Sequence, residues 1–453
     1  MMKKIFSTFV LATVLATPVF ADDFSSRLQT ALNSSDAIQA EIENIKSAYQ
    51  EFGVARATMD LSTSLSASGS VSERSVNDAD SYDVDSNNLT LTITKPIYDG
   101  GMASSKEQIA QLDLDLAIMS YRDAEQQALL DALTAHVNLV TARQSLSVNQ
   151  SNVERLQEQV KASTLRVELG ESTPTQLALA QSRLARAEAG LISAQASLDD
   201  ASAAYLRFFH TPAGDALDLP VLPQFDNLLP ASAGLAGDVA ISQNPTYRQL
   251  VISERIARKN MDTLLANVRP NLDFSITGTT TDSNIDASNI DAVTAAITLT
   301  TPLYPTSATR AKSRGLVADH QSVLRSLSDM EQDIRLGAEN AYRNFLAASS
   351  LIVANETESK AAILFRDGVE KEVQFGLKSL LDLLDAQQDV VSAEQSLIKA
   401  RGDQVLAGYA LLMQMGKLNA DTFGLTPAFV SVEALPIHDL PIGGIIPKVI
   451  YPE

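Results

Sequence analysis

Between Met102 and Leu169 the chain contains no Pro and no Gly, and its apolar residues recur every three or four positions. Held as one helix, this run is roughly 100 Å long at about 1.5 Å per residue. A break follows at Gly170-Glu171-Ser172-Thr173-Pro174. In the next run Leu177, Ala180, Leu184, Ala187, Leu191, Ala194, Leu198, Ala201 and Tyr205 alternate spacings of three and four, which is a heptad seam. A compact domain has no use for a helix of that length, so the sequence describes something that spans a distance.

Composition narrows the classes. Trp is absent and aromatics are 5% of 453 residues, thin for large globular cores. A net charge of -20 argues against a nucleic-acid partner, because phosphate binding needs clustered Lys and Arg. With no Cys there is no disulfide frame, thiolate metal site or Cys nucleophile. At the N-terminus, Lys3 and Lys4 precede an apolar run from Ile5 to Ala16, and Val19-Phe20-Ala21 follows. This reads as a secretory signal over 1–21, cleaved before Asp22, with no Cys there to carry a lipid. No stretch holds 18 consecutive apolar residues, so a chain like this crosses a membrane only as β-strands.

Read in order, 24 to 58 is one helix, with Ile38, Ile42, Ile45, Tyr49 and Phe52 on one face. From Met59 the period becomes 2: Leu61, Thr63, Leu65, Ala67 and Val71 alternate with Ser. An acidic loop from Ser72 to Asn88 carries Asp78, Asp80, Asp83 and Asp85, without the spacing of a calcium loop. Leu89, Leu91 and Ile93 then alternate with Thr. The expectation is a hairpin of strands about ten residues long, a length suited to tilted membrane strands. Lys95-Pro96-Ile97-Tyr98-Asp99-Gly100-Gly101 is expected to end it, since Pro stops a ladder. After Phe209 comes a Pro-rich connector.

The plan then repeats. Asn244-Pro245 opens a helix, Leu272 to Gly278 alternate, a polar loop runs from Thr279 to Asn289, and Val293 to Leu299 return. Pro96 to Pro302, Tyr98 to Tyr304, Gly170 to Gly376 and Glu188 to Glu394 are all separated by 206 residues. Matched Pro, Tyr and Gly at the breaks mark a duplication. The expected domains are a first repeat over 22–230 (β-hairpin 59–95, helical hairpin 102–209) and a second over 231–424 (β-hairpin 271–301, helical hairpin 305–416). A Pro/Gly-rich tail over 425–453 is expected to be extended or disordered.

Four strands per chain cannot close a barrel, and open edges in lipid leave backbone groups unsatisfied. Several chains must therefore pool their strands. Two would give a filled interior, whereas three would give twelve strands and a lumen, which Ser and Thr would line. The expected fold is mainly α with a β-barrel part.

These features resemble the TolC-type outer-membrane efflux proteins. The resemblance covers about 24–424. It rests on the duplicated plan, the Lys95 to Gly101 turn, the tips Val167-Glu168-Leu169-Gly170 and Val373-Gln374-Phe375-Gly376, and Leu381-Asp382-Leu383-Leu384-Asp385-Ala386. It implies a homotrimer whose 12-stranded outer-membrane β-barrel continues into a periplasmic α-helical barrel, in a Gram-negative cell. It implies that Asp382 and Asp385 ring the closed periplasmic aperture. It also implies that Gly170, Glu171, Ser172, Val373, Gly376 and Lys378 lie at tips that meet a periplasmic adaptor (membrane fusion protein), itself linked to an inner-membrane transporter of RND or ABC type. Lys378 either pairs with a neighbouring chain or is solvated.

Local chemistry accounts for several of these residues as well. Ser379 and Asp382 have capping-box spacing. Thr173, Pro174 and Gln176 read as N-cap, N1 and N3, and the two Gly as C-caps. Gln176 stands where the offset would put a match to Asp382. His136, His210, His320 and His438 have no ligand-spaced partners, and no catalytic motif is present. No enzyme, cofactor or metal site is expected. The alternative reading is a soluble periplasmic coiled-coil adaptor of the same kind of system.

Overall fold

The computed structural model describes residues 19–74, 81–214, 217–220, 228–285, 288–304 and 306–431. The expected signal segment up to residue 18, Asp78 and Asp80, His438 and the tail from 432 lie outside these. In chain order the elements are α1 (Val19–Asn33), α2 (Asp36–Arg56), β1 (Ser62–Arg74), β2 (Tyr82–Tyr98), α3 (Met102–Glu168) and α4 (Pro174–Phe209). After the connector come α5 (Ala233–Gln243), α6 (Pro245–Ala266), β3 (Asn271–Ser283), β4 (Ile290–Thr300), α7 (Ser307–Gln374) and α8 (Leu380–Gln414). Among the described residues no helix is long and apolar enough to cross a membrane.

The described chain divides into two compact units, and each draws on both repeats: one within 19–38, 125–233 and 339–428, the other within 39–124, 234–338 and 429–431. The strand-bearing portions of the repeats fall together in one unit, and the far ends of the helical hairpins in the other.

In the helical unit the heptad seam is the buried line. Ala180, Ala187, Ala194 and Tyr205 are buried on α4, and Leu383, Ala386, Val390, Ala393 and Ala400 on α8. Small residues on the seam let backbones approach closely. Beside the seam, at Gly402 of α8, an added Cβ would stand 2.7 Å from the Thr141 methyl of α3. The duplicated ends coincide as the offset requires: α3 ends at 168 and α7 at 374, and α4 starts at 174 and α8 at 380.

His136 of α3 is 2% exposed and caged by aromatics. Its ring lies 4.7 Å from that of Phe24 and 6.0 Å from that of Tyr205. Nε2 is 2.9 Å from the Asp218 carbonyl and donates to it, while Nδ1 is buried without a hydrogen-bond partner among the described residues. Burial pushes the ring's pKa below the usual histidine value, opposed by the Asp218 carbonyl and reinforced by Arg27 and Arg143. The unfolded chain therefore takes up a proton before the folded one does. Stability is full above about pH 6.5 and is lost as pH falls below it, by at most about 1.4 kcal/mol per pH unit. Chemical denaturation of the protein between pH 7.5 and 5 is expected to show this slope, and His136→Phe to flatten it. Equal slopes in the two proteins would remove His136 as its source.

The other unit holds one antiparallel sheet in the order β1-β2-β3-β4. Cross-strand partners share a face, so the register sorts the side chains. One row is Leu65, Leu91, Gly278 and Val293, and another is Thr63, Ile93, Ile276 and Ala295. Between them on the opposite face runs Ser64, Thr92, Thr277 and Thr294. The sheet has an apolar face and a hydroxyl face, and both are open. Leu65 is 67% and Val293 82% exposed on strands that have a neighbour on one side only among the described residues.

Three expectations require correction. The single helix over 24–58 is two, because the Ser34 backbone N–H and hydroxyl both bond back to the Thr30 carbonyl and Asp36 starts a new first turn. The strands are 13, 17, 13 and 11 residues long, so Asp83 and Asp85, and Thr279 to Ser283, are paired rather than in loops. Pro96 does not end β2; the strand passes through it with a register shift between Pro96 and Tyr98, a bulge where no ladder donor is needed. The tail's described residues, 425–431, carry no helix or strand and are bonded in place: Thr426 exchanges two hydrogen bonds with the Gln29 side chain, and Phe429 packs edge-on to Tyr121.

Candidate functional site at the helical tips

The two turns that join α3 to α4 and α7 to α8 are built alike. At the first, Gly170 has φ 74°, the Gly170 N–H donates to the Val167 carbonyl, and the Glu171 N–H to that of Arg166. At the second, Gly376 has φ 71°, with Gly376 N–H to Val373 and Leu377 N–H to Glu372. This paired pattern closes a helix C-terminus and needs a left-handed residue, which Gly supplies without strain. Thr173 then caps α4 through the Gln176 N–H, with Pro174 in the first turn. Ser379 and Asp382 form a complete capping box on α8: the Ser379 N–H donates to Asp382 Oδ2 at 2.9 Å, and Asp382 N–H to Ser379 Oγ at 3.3 Å.

The same backbone carries different side chains at the two turns. Gly170 and Glu171 are exposed, and the Ser172 hydroxyl donates to the Gln176 side-chain oxygen at 2.5 Å. At the second turn Phe375 and Leu377 are 79% and 76% exposed. Val373 is half-buried against Val369, Leu383 and Ala386. Lys378 has partners within its own chain. Its ammonium lies 3.2 Å from Glu372 Oε2 and 5.0 Å from the centre of the Phe365 ring.

The two carboxylates behave differently. Asp382 is exposed, and the Ser379 hydroxyl and N–H it accepts from hold its carboxyl below the usual range, with Lys378 adding to the effect. Asp385 is exposed as well, but Arg183 of α4 donates to its Oδ1 at 2.6 Å. Below them Leu380 and Leu384 pack with Val153, Leu156 and Ala187, so the start of α8 is anchored to both α3 and α4.

Arg183 is the residue that sequence reasoning missed. It lies 202 positions from Asp385, and neither residue announces the other. The offset held a clue: 385 − 206 is 179, and position 183 is one helical turn further on.

The comparisons with known proteins agree with this plan. The family description "Outer membrane efflux protein" matches residues 27–207 and again 237–417, once per repeat. The chain is 26% identical to the outer membrane efflux protein BepC of Brucella suis over 75% of this chain and 74% of that one. It is 26% identical to the alkaline protease secretion protein AprF of Pseudomonas aeruginosa over 78% and 74%. It is 21% identical to the outer membrane protein TolC of Escherichia coli over 88% and 83%. Among solved structures, the outer-membrane channel OprN superposes with a TM-score of 0.78 at 15% identity, covering 88% of this chain and 91% of that one. The Campylobacter jejuni CmeC outer membrane channel superposes at 0.76 and 11% identity, covering 87% and 86%. These structural likenesses carry the fold. Duplicated profile, four-stranded sheet and paired helical hairpins together place the protein in the Gram-negative outer membrane, with a large periplasmic helical portion. The chain belongs to the outer membrane efflux protein family.

Proposed function

We propose that the chain is one of three identical subunits of an exit duct, serving either a tripartite efflux system or a type I secretion system. Its two structural repeats, 22–230 and 231–424, each supply one β-hairpin and one helical hairpin. Three sheets would close into twelve strands with the hydroxyl face inward, and the helices would continue the tube into the periplasm. The observation that carries this reading is the sheet itself: four strands with two open edges, one face apolar and the other lined with Ser and Thr. Open edges and an exposed apolar face both call for lipid and for further copies of the chain.

In this reading the carboxylates of Asp382 and Asp385 stand around the periplasmic aperture. The tips at Gly170, Glu171, Ser172, Val373, Gly376 and Lys378 meet a periplasmic adaptor coupled to an inner-membrane transporter. One relative is named for efflux and another for protease secretion, so both classes of transporter remain in view. The adaptor alternative fits less well, because an exposed apolar sheet face of four long strands has no role in a soluble protein.

Full-length protein in detergent is expected to have the mass of three chains and to conduct ions in planar bilayers. A lone, non-conducting subunit would overturn the duct.

A further inference from the structure

From Thr301 to Ala318 the chain carries Arg310, Lys312 and Arg314 and no acid, within a protein of net charge -20. Arg310 sits in the first turn of α7, where the helix dipole favours carboxylates over cations. The local rule is broken there. All three cations are exposed, and none has a carboxylate partner among the described residues. The Arg310 guanidinium instead stacks over the Tyr304 ring at 5.4 Å. Tyr304 is 74% exposed and its neighbour Leu303 92%.

Placement gives this cluster a meaning. The apolar row Val293, Ala295, Ile297 and Leu299 runs along β4 to the strand's end at Thr300. Leu303, Tyr304 and then the arginines follow within about a dozen residues. Apolar band, aromatic ring, cation is the order in which a membrane interface is crossed, from hydrocarbon to headgroup. Arg310 and Arg314 are one turn apart on one face of α7, whereas Lys312 lies about 200° round the helix.

The duplication supplies an internal control. The counterparts of Tyr304 and Lys312 are Tyr98 and Lys106, but those of Arg310 and Arg314 are Ser104 and Gln108. In the first repeat that pair is satisfied internally, the Gln108 amide donating to the Ser104 hydroxyl at 3.2 Å. The fold thus makes the same junction without arginines, and their presence in the second repeat is a separate matter from folding.

We propose that Tyr304, Arg310 and Arg314 form a headgroup site for anionic phospholipid at the periplasmic leaflet of the outer membrane. The two guanidinium groups hold the lipid phosphate, and Leu303 and Tyr304 lie at the acyl boundary. This rests on the apolar sheet face being the lipid-facing one.

The test is native mass spectrometry of the full-length protein in detergent, titrated with phosphatidylglycerol or phosphatidylcholine. The expected result is tighter binding of phosphatidylglycerol, lost by roughly 25-fold in R310Q/R314Q at about fivefold per cation, while Lys312→Gln stays within about twofold. Inorganic phosphate at the lipid's concentration is expected to leave the lipid bound. Unchanged phosphatidylglycerol affinity in R310Q/R314Q, an equal loss in Lys312→Gln, or displacement by inorganic phosphate would each overturn the site. Conductance of the same proteins in planar bilayers reads the duct independently, so failure of the headgroup site and failure of the duct are distinguishable.

Discussion

Leu91→Arg is expected to prevent the chain from assembling in membranes, while Thr92→Arg, one residue on, assembles and alters only conductance. Leu91 stands mid-strand on β2, opposite Leu65 on one side and Gly278 on the other, in the middle of the apolar face. Thr92 is opposite Ser64 and Thr277 on the hydroxyl face. An arginine facing lipid near the bilayer midplane costs about 2–4 kcal/mol per copy. In a threefold assembly that becomes roughly 6–12 kcal/mol, comparable with the whole stability of an ordinary domain. An arginine at position 92 would instead meet water. Heat-resistant oligomers in the outer-membrane fraction, followed on gels, report the outcome. If the two substitutions have the same effect, the assignment of faces is wrong.

Asp385→Ala and Arg183→Gln are expected to change divalent-cation block of the channel in opposite directions. Because Arg183 donates to Asp385 at 2.6 Å, the pair is close to neutral and Asp382 supplies the net charge at that end of α8. Removing the carboxylate leaves an uncompensated guanidinium, so block by divalent cations weakens. Removing the guanidinium leaves a second free carboxylate, so block strengthens. One unit charge about 8 Å from a divalent ion is worth about 1 kcal/mol in water, less with salt screening, and three copies make the shift roughly tenfold to hundredfold in either direction. The double substitution is expected to return block close to the starting value. Single-channel recordings with graded divalent cation decide it. Block that ignores both substitutions would take Asp385 and Arg183 away from the aperture.

The helix ends at the two tip turns were legible in the sequence to within a residue because they are written in local chemistry. Gly170 and Gly376 require a left-handed backbone, Thr173 and Ser379 cap through their own hydroxyls, and Pro174 opens a helix without needing a donor. The seam was legible because burial there follows the heptad, as at Ala180, Ala187 and Ala194. Strand ends were not. Between Ser72 and Asn88 the Ser, Asn and Asp residues carry a loop's composition, yet backbone pairing such as Glu73 with Asp83 continues the ladder. That pairing depends on the neighbouring strand rather than on side-chain type. Pro96 misled for a related reason, since a bulge removes the need for its missing N–H. At the tips the caps were readable, but the partners of Lys378 and Asp385 were not. Each lies on another turn or another helix, and only packing brings it near.

The two tip turns share a backbone and differ in chemistry. The first presents Glu168, Leu169, Glu171 and Ser172, and the second Gln374, Phe375, Leu377 and Lys378. A ring of identical partner molecules seated on three such chains would meet six footholds of equal shape, three acidic and three greasy with a cation beside them. Such a ring could be sixfold in outline and only threefold in grip, gripping hard at every other foothold.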